Sequence, residues 1–339
     1  MPIPEPRPLI VRLRNWVGDV TLSLPMLQRL AAAGFELTLL GKGWARDLLA
    51  GQGWSVHALA PTFRQRVAQL RQLRQLQPKV IRTSSAARQS WPALGLPTLG
   101  LPARCLPALC LPDSFSSALE FRLAGLPALG HAWEGRSALL GQALPRPRAI
   151  HEFQVYWQLG DAFLGRQAPL PTQIRLQPTM QQMQHAQALR QAHGLEPGCI
   201  LICPFAGGTW DKMDKTWPGF AEFVAQGLRS VGRSVVVCPG PGEEERIARE
   251  QFAGATLLPG VNLGVYAALL KDAALLISND TGPGHMAAAV GAPLVSVMGP
   301  SDPSLWRPWG HDVQVLGGHG RWPEAGAVMD ATRSVLNRR

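Results

Sequence analysis

Ser278-Asn279-Asp280-Thr281-Gly282-Pro283-Gly284-His285 is the stretch of this 339-residue chain whose residue types and spacing point most directly to chemistry. An apolar run, Ala273 to Ile277, leads into it, and a run of small residues, Met286 to Val290, follows. A strand, a glycine turn and a helix start together present bare backbone N–H groups and the positive end of a helix dipole to an anion. Thr281 can add a hydroxyl and His285 a ring N–H. The pattern reads as a cradle for the diphosphate of a nucleotide-activated substrate. The same spacing also fits an ordinary strand-to-helix turn capped by Asp280, and the residues alone leave both readings open.

The elements that would position this cradle repeat along the chain. Leu9 to Leu13 reads as a strand, Trp16-Val17-Gly18-Asp19 as a turn, Val20 to Ala33 as a helix ended by Gly34, and Phe35 to Leu40 as a second strand. Such a βαβ opening favours a parallel sheet. Arg64 to Gln77 reads as a basic amphipathic helix, with Phe63, Val67, Leu70 and Leu73 on one face. Between Leu94 and Pro112 the dipeptide Leu-Pro recurs at 96, 101, 106 and 111, which predicts an irregular excursion and no central strand. His151 to Leu164 reads as a helix, and the Pro- and Gln-rich stretch 166–178 as a linker. The second half predicts helices at Met180–His193, Trp217–Val231 and Tyr266–Leu270. Its strands fall at Cys199–Pro204, Ser234–Cys238, Ala273–Ile277 and Pro293–Met298. The expected architecture is α/β: two Rossmann-like, doubly wound domains facing a central cleft. The boundaries read as 1–165, a linker at 166–178, 179–320, and a C-terminal segment 321–339.

Composition narrows the partners. Residues 1–165 hold 18 Lys+Arg against 9 Asp+Glu, and the remainder 15 against 14. The basic first half suits an acidic partner: nucleic acid, a phosphorylated glycolipid or an anionic membrane surface. Only 5 of the 33 basic residues are Lys, so Arg enrichment from a GC-rich genome competes as an explanation, although it leaves the asymmetry between halves unexplained. With only 2 tyrosines and no aromatic–basic stacking motif, nucleic acid is disfavoured. Five scattered cysteines (105, 110, 199, 203 and 238) form no C-x-x-C pair and read as reduced, buried thiols. The chain has no apolar run of spanning length, and Met1 to Pro8 lacks an apolar signal core, so the expected location is the cytoplasm.

Four features then occur in order: Trp16-Val17-Gly18-Asp19; Lys215-Thr216-Trp217-Pro218; the turn Pro239-Gly240-Pro241-Gly242 with Glu243-Glu244-Glu245; and Asp280–His285 followed by Gly299-Pro300-Ser301-Asp302-Pro303. Together, from about Ile10 to about Gly310, they resemble glycosyltransferase family 9, the heptosyltransferases of lipopolysaccharide core synthesis. The resemblance implies a GT-B fold, with acceptor in the first domain and nucleotide sugar in the second. It implies transfer of heptose from ADP-heptose to an inner-core sugar with inversion at the anomeric carbon. It also implies a C-terminal helix crossing back to the first domain, and no requirement for a bound metal. The chain carries no D-x-D triplet; Asp211 and Asp214 are spaced differently.

Inverting transfer needs a base for the acceptor hydroxyl and positive charge for the departing diphosphate. Asp19 matches the family's base, and a cap for a helix starting at Val20 is its bland alternative. Lys215 matches the family's diphosphate lysine, with Lys212 as rival and a solvated surface lysine as alternative. Gly207, Gly208 and Thr209 follow a strand and can offer N–H groups to phosphate. Thr281, Gly282 and Gly284 form the main cradle, Asp280 organises the turn, and His285 is either a phosphate donor or a structural histidine. One of Glu243, Glu244 and Glu245 is a candidate for the ribose hydroxyls, or the three form a solvated helix start. Val261 to Leu263 are candidates for the base pocket. The implied partners are an ADP-heptose donor, an acidic lipid-linked sugar acceptor and the anionic inner face of the inner membrane.

Overall fold

A computed structural model describes residues 7–76 and 107–338. The stretch 94–106 of the Leu-Pro excursion, with Cys105, lies outside the described residues. By contacts the chain forms two compact units. One holds residues up to Asn15, Ser23–Arg46 and Gly53 to Leu170; the other holds Trp16–Leu22, Asp47–Gln52 and Pro171 onward.

The first unit carries β1 (Arg7–Arg12), α1 (Val17–Ala32), β2 (Phe35–Gly41), α2 (Ala45–Leu49), β3 (Ser55–Ala58), α3 (Phe63–Leu76), β4 (Ala108–Cys110), α4 (Phe115–Leu123), β5 (Ala128–Ala132), β6 (Gln142–Pro145) and α5 (Glu152–Leu164), apart from the contact-assigned pieces named above. Its sheet is parallel, in the order β3-β2-β1-β4-β5-β6. β4 corrects the expectation for 94–112. The four residues between Pro107 and Pro112 are free of proline and the first three slot beside β1, while the Pro107 carbonyl accepts from Ile10 N at 3.0 Å. Proline here bounds the strand instead of breaking it.

The second unit carries α6 (Met180–Ala192), β7 (Ile200–Cys203), the hairpin β8 (Thr209–Trp210) and β9 (Met213–Asp214), α7 (Phe220–Glu222), β10 (Val235–Val237), α8 (Glu243–Gln251), β11 (Thr256–Leu257), α9 (Leu263–Lys271), β12 (Leu275–Asn279), α10 (Gly282–Val290), β13 (Leu294–Met298), α11 (Pro303–Trp306), β14 (Val313–Gly317) and α12 (Ala325–Leu336). Its main sheet, also parallel, runs β11-β10-β7-β12-β13-β14. β7, β12 and β13 are buried along their whole length, as strands covered by helices on both faces must be, which explains their mainly apolar sequences, broken only by the buried Ser278, Asn279 and Ser296.

One further expectation changes. The single helix expected over Trp217–Val231 is α7, then a π-helical turn at Phe223–Gly227, then a 3-10 turn at Leu228–Val231. Pro218 and Gly219 delay its start. The widened turn accommodates Trp217, Phe220 and Phe223, whose rings pack at 5.7–6.3 Å, and Gly227 meets Met329 of α12. Near the C-terminus, α12 packs within the second unit. Val328, Met329, Ala331 and Val335 enter the core formed by β7, β12 and β13, because their spacing gives one apolar helix face.

Candidate active site

β12 ends at Asn279 and α10 begins at Gly282, so Asp280 and Thr281 form the whole turn between them. Thr281, not Asp280, is the N-cap, and its hydroxyl makes no capping bond. In the first turn Pro283 has no N–H and Gly284 N donates to the Thr281 carbonyl at 3.1 Å. The Asp280 carboxylate, 5% exposed, turns elsewhere: Oδ2 lies 3.0 Å from Lys215 Nζ and accepts a hydrogen bond from the Ser301 hydroxyl. Ser301 is held in turn, since its carbonyl accepts from His319 N at 3.0 Å. Gly284 is required beneath the cradle, where a Cβ would lie 2.9 Å from Ser278 Oγ.

Lys215 follows β9. Thr216 N donates to Asp214 Oδ1 at 2.9 Å and the Trp217 ring is buried, so the lysine sits on a short anchored segment. Its rival Lys212 occupies the exposed hairpin tip, where Asp211 and Lys212 have φ of 47° and 64°. Left-handed backbone at two successive non-glycine residues is costly.

The start of α1 belongs to the same contact unit as this cradle. A Cβ at Gly18 would stand 2.8 Å from His285 Cδ2, and one at Gly282 would stand 2.6 Å from Val17 Cβ. Two helix starts thus pack backbone to side chain, which only glycine allows. α1 begins at Val17, so Asp19 lies within its first turn and is not the cap of a helix starting at Val20; its side chain is half-buried. The Trp16 ring lies against Gly207 and Gly208, at 3.3 and 3.6 Å from the Cβ positions, and both glycines and Thr209 are exposed. Gly18, Lys215, Asp280, Gly282 and His285 are thereby brought together around the start of α10, next to Asp19.

The acidic run divides. Glu244 Oε2 accepts from Gly240 N at 2.7 Å and fastens the turn after β10. Glu243 and Glu245 face Arg246 and Arg249 in exposed pairs within α8. Val261 is half-buried, one residue before Asn262, the N-cap of α9.

Sequence reasoning did not single out a charged cluster in the first unit. Arg146 makes a bidentate pair with Glu152 at 2.7 and 2.8 Å and donates to Asp113 Oδ2 at 3.0 Å, and Arg14 pairs with the same carboxylate. Arg136, fully buried, donates to the His131 carbonyl at 2.8 Å and the Ser114 carbonyl at 3.2 Å. These residues follow the C-terminal ends of β1, β4, β5 and β6 or lie close by. Burial pushes His131 down from 6.5 to about 4; Arg146, Arg14 and Arg136 add to this, and Asp113 opposes it.

The sequence profile of glycosyltransferase family 9 (heptosyltransferase) matches residues 107–332. The chain belongs to this family. Among family relatives, it is 34% identical over 129 residues to lipopolysaccharide heptosyltransferase 3 of Escherichia coli, a match covering 35% of this chain and 36% of that protein. Aligned sequence thus spans about a third of that relative's length. The fold matches E. coli ADP-heptose lipopolysaccharide heptosyltransferase II with a TM-score of 0.72 at 23% identity, covering 97% of this chain and 98% of that one. It matches an E. coli heptosyltransferase solved with ADP at 0.66 and 20% identity, covering 97% and 99%. The family-9 chain therefore has the α/β GT-B fold. Among its described residues no helix is long and apolar enough to cross a membrane.

Proposed function

We propose that the protein is an inverting glycosyltransferase that moves heptose from ADP-heptose to an inner-core sugar of lipopolysaccharide. The observation that carries this is the Lys215–Asp280 ion pair at 3.0 Å beside the uncapped start of α10. Family membership supports the reaction class, and the names of the relatives above support the donor.

In this mechanism the acceptor hydroxyl oxygen bonds to the anomeric carbon from the face opposite the diphosphate. The bond from that carbon to the diphosphate oxygen breaks, and its electron pair leaves with ADP. Asp19 takes the hydroxyl proton. A carboxylate suffices because proton transfer can lag in a transition state with oxocarbenium character. Lys215, the Thr281 hydroxyl and the N–H groups of Gly282 and Gly284 meet the charge that grows on the diphosphate. His285 orients or donates to the same group. Gly207, Gly208 and Thr209 extend the phosphate contacts. Because Glu243 and Glu245 are engaged with arginines, Glu244 is the acidic residue best held to meet ribose. Val261 borders the base.

The arginine excess of residues 1–165 and the cluster around Asp113 support an acidic, lipid-linked acceptor and attachment to the anionic inner face of the inner membrane. The same fold and cradle would also serve another sugar nucleotide, because its contacts address the diphosphate more than the sugar. Turnover of ADP-heptose by wild type and Asp19→Ala tests the proposal. A loss of at least about 100-fold is expected, with ADP binding retained. Near-wild-type turnover by the variant removes Asp19 as base, and a UDP- or GDP-sugar preference reassigns the donor.

A further inference from the structure

Asn279 closes β12 with its side chain wholly buried. Its Oδ1 accepts from Trp217 N at 3.1 Å, and its Nδ2 donates to the Pro204 carbonyl at 2.6 Å. Pro204 begins the loop that carries Gly207 to Thr209, and Trp217 stands two residues after Lys215. One carboxamide therefore ties three chain segments together: its own strand, which runs into Asp280, the loop after β7, and the lysine segment.

We infer that Asn279 is a positioning residue that sets where the Lys215 ammonium stands over the diphosphate. This rests on the proposed role of Lys215. The chemistry of the position supports it. Trp217 is 4% exposed, so its N–H has little access to water and needs an internal acceptor. The Pro204 carbonyl needs a donor at the same place. Among side chains of this size, asparagine supplies both without charge; an ionised aspartate would face the carbonyl with a second acceptor, and leucine would satisfy neither. With Trp217 N tied to Asn279 and Thr216 N tied to Asp214, the lysine has little backbone freedom, and its ammonium rests on Asp280. Cutting the Asn279 tie lets the segment drift while the fold's core, secured by the rings of Trp217, Phe220 and Phe223, stays in place.

A double-mutant cycle on the full chain tests this, with ADP as probe and calorimetric Kd as readout. The four proteins are wild type, Asn279→Ala, Lys215→Met and the combination, each held well below its Tm. Asn279→Ala is expected to weaken ADP about 10-fold. In the Lys215→Met background it is expected to add less than about 2-fold, because the group it positions is gone. Full multiplicative loss in the combination overturns the inference and leaves the donor site standing. Wild-type affinity in Lys215→Met overturns the role of Lys215 itself, a different pattern. Asn279→Asp keeps the acceptor for Trp217 N but sets a carboxylate against the Pro204 carbonyl, so it should also weaken ADP, and again by less than about 2-fold in the Lys215→Met background. Should the alanine variant fail to fold, the aspartate variant goes through the same cycle with the same criterion of additivity.

Discussion

Replacing Lys215 by methionine keeps most of the length and the apolar stem of the side chain and deletes its charge. The ammonium stands 3.0 Å from Asp280 Oδ2, with side-chain exposures of 18% and 6%. At that separation an effective dielectric of about 20 gives a gross attraction of about 5.5 kcal/mol. Desolvation of both groups offsets much of it. The effect on ligand binding is sharper than on stability. Methionine removes a cation from the diphosphate and leaves the Asp280 carboxylate, its Ser301 bond intact, facing the incoming anion. Truncating one member of a buried charge pair costs roughly 3 kcal/mol, so ADP should bind about 100-fold more weakly. Adding Asp280→Asn to Lys215→Met removes the stranded charge and should regain about 10-fold of that affinity. Titration calorimetry with ADP at two salt concentrations reads both effects, and the single variant should show the shallower salt dependence. An ADP Kd within 3-fold of wild type for Lys215→Met would refute the electrostatic account of the cradle. Failure of the double variant to recover would show that Asp280 does not face the diphosphate.

Gly18→Ala inserts a Cβ 2.8 Å from a buried histidine ring without any demand on backbone φ, so it should cost about 1–3 kcal/mol in urea denaturation and displace His285; an unchanged midpoint would mean the two helix starts do not pack as described. His131 is held neutral in the folded protein, at about 4 against 6.5 when unfolded. The unfolded chain binds the extra proton between those values, so this contribution is complete above pH 6.5 and is lost progressively as pH falls toward 4, by roughly 3 kcal/mol at most. His131→Gln should flatten that part of the stability–pH curve, and an unaltered slope would show that other groups set it.

The parallel strands and the cradle were legible in the sequence because local signals govern them. β12 and β13 are mostly apolar, buried strands, and Gly282-Pro283-Gly284 announces a turn into a helix whatever the rest of the chain does. Elements ruled by distant partners were not. β4 exists because β1 and β5 flank a four-residue window between prolines, and the split at Phe223–Gly227 answers Met329, more than a hundred residues away. The second half of the first unit's sheet, with the short strands β5 and β6, has too little periodicity to declare itself. Site residues divide along the same line. Asp280 and Lys215 stood out by motif, but their pairing did not. Asn279 reaches partners 62 and 75 positions away, and the only local hint was a buried carboxamide ending a mainly apolar strand. The arginine cluster around Asp113 left no spacing signal, since its members come from four separate strand ends.

The two parallel sheets are wired identically: taken in order of appearance within its own unit, and setting aside the inserted hairpin, each runs third, second, first, fourth, fifth, sixth. In such a sheet the crossovers on either side of the first and fourth strands depart in opposite directions, and the loops there part to leave a notch. The protein fills the equivalent notches with different ionic equipment. Following the first strand, one copy supplies the carboxylate of Asp19 and the other the ammonium of Lys215. Following the fourth, both supply an aspartate, Asp113 wrapped by arginines and Asp280 by a lysine and a serine. The hairpin β8–β9 is inserted in the first of these loops in the second copy, where it lengthens the connection enough to carry a cation. A single wiring plan thus carries unlike charged groups at equivalent strand ends.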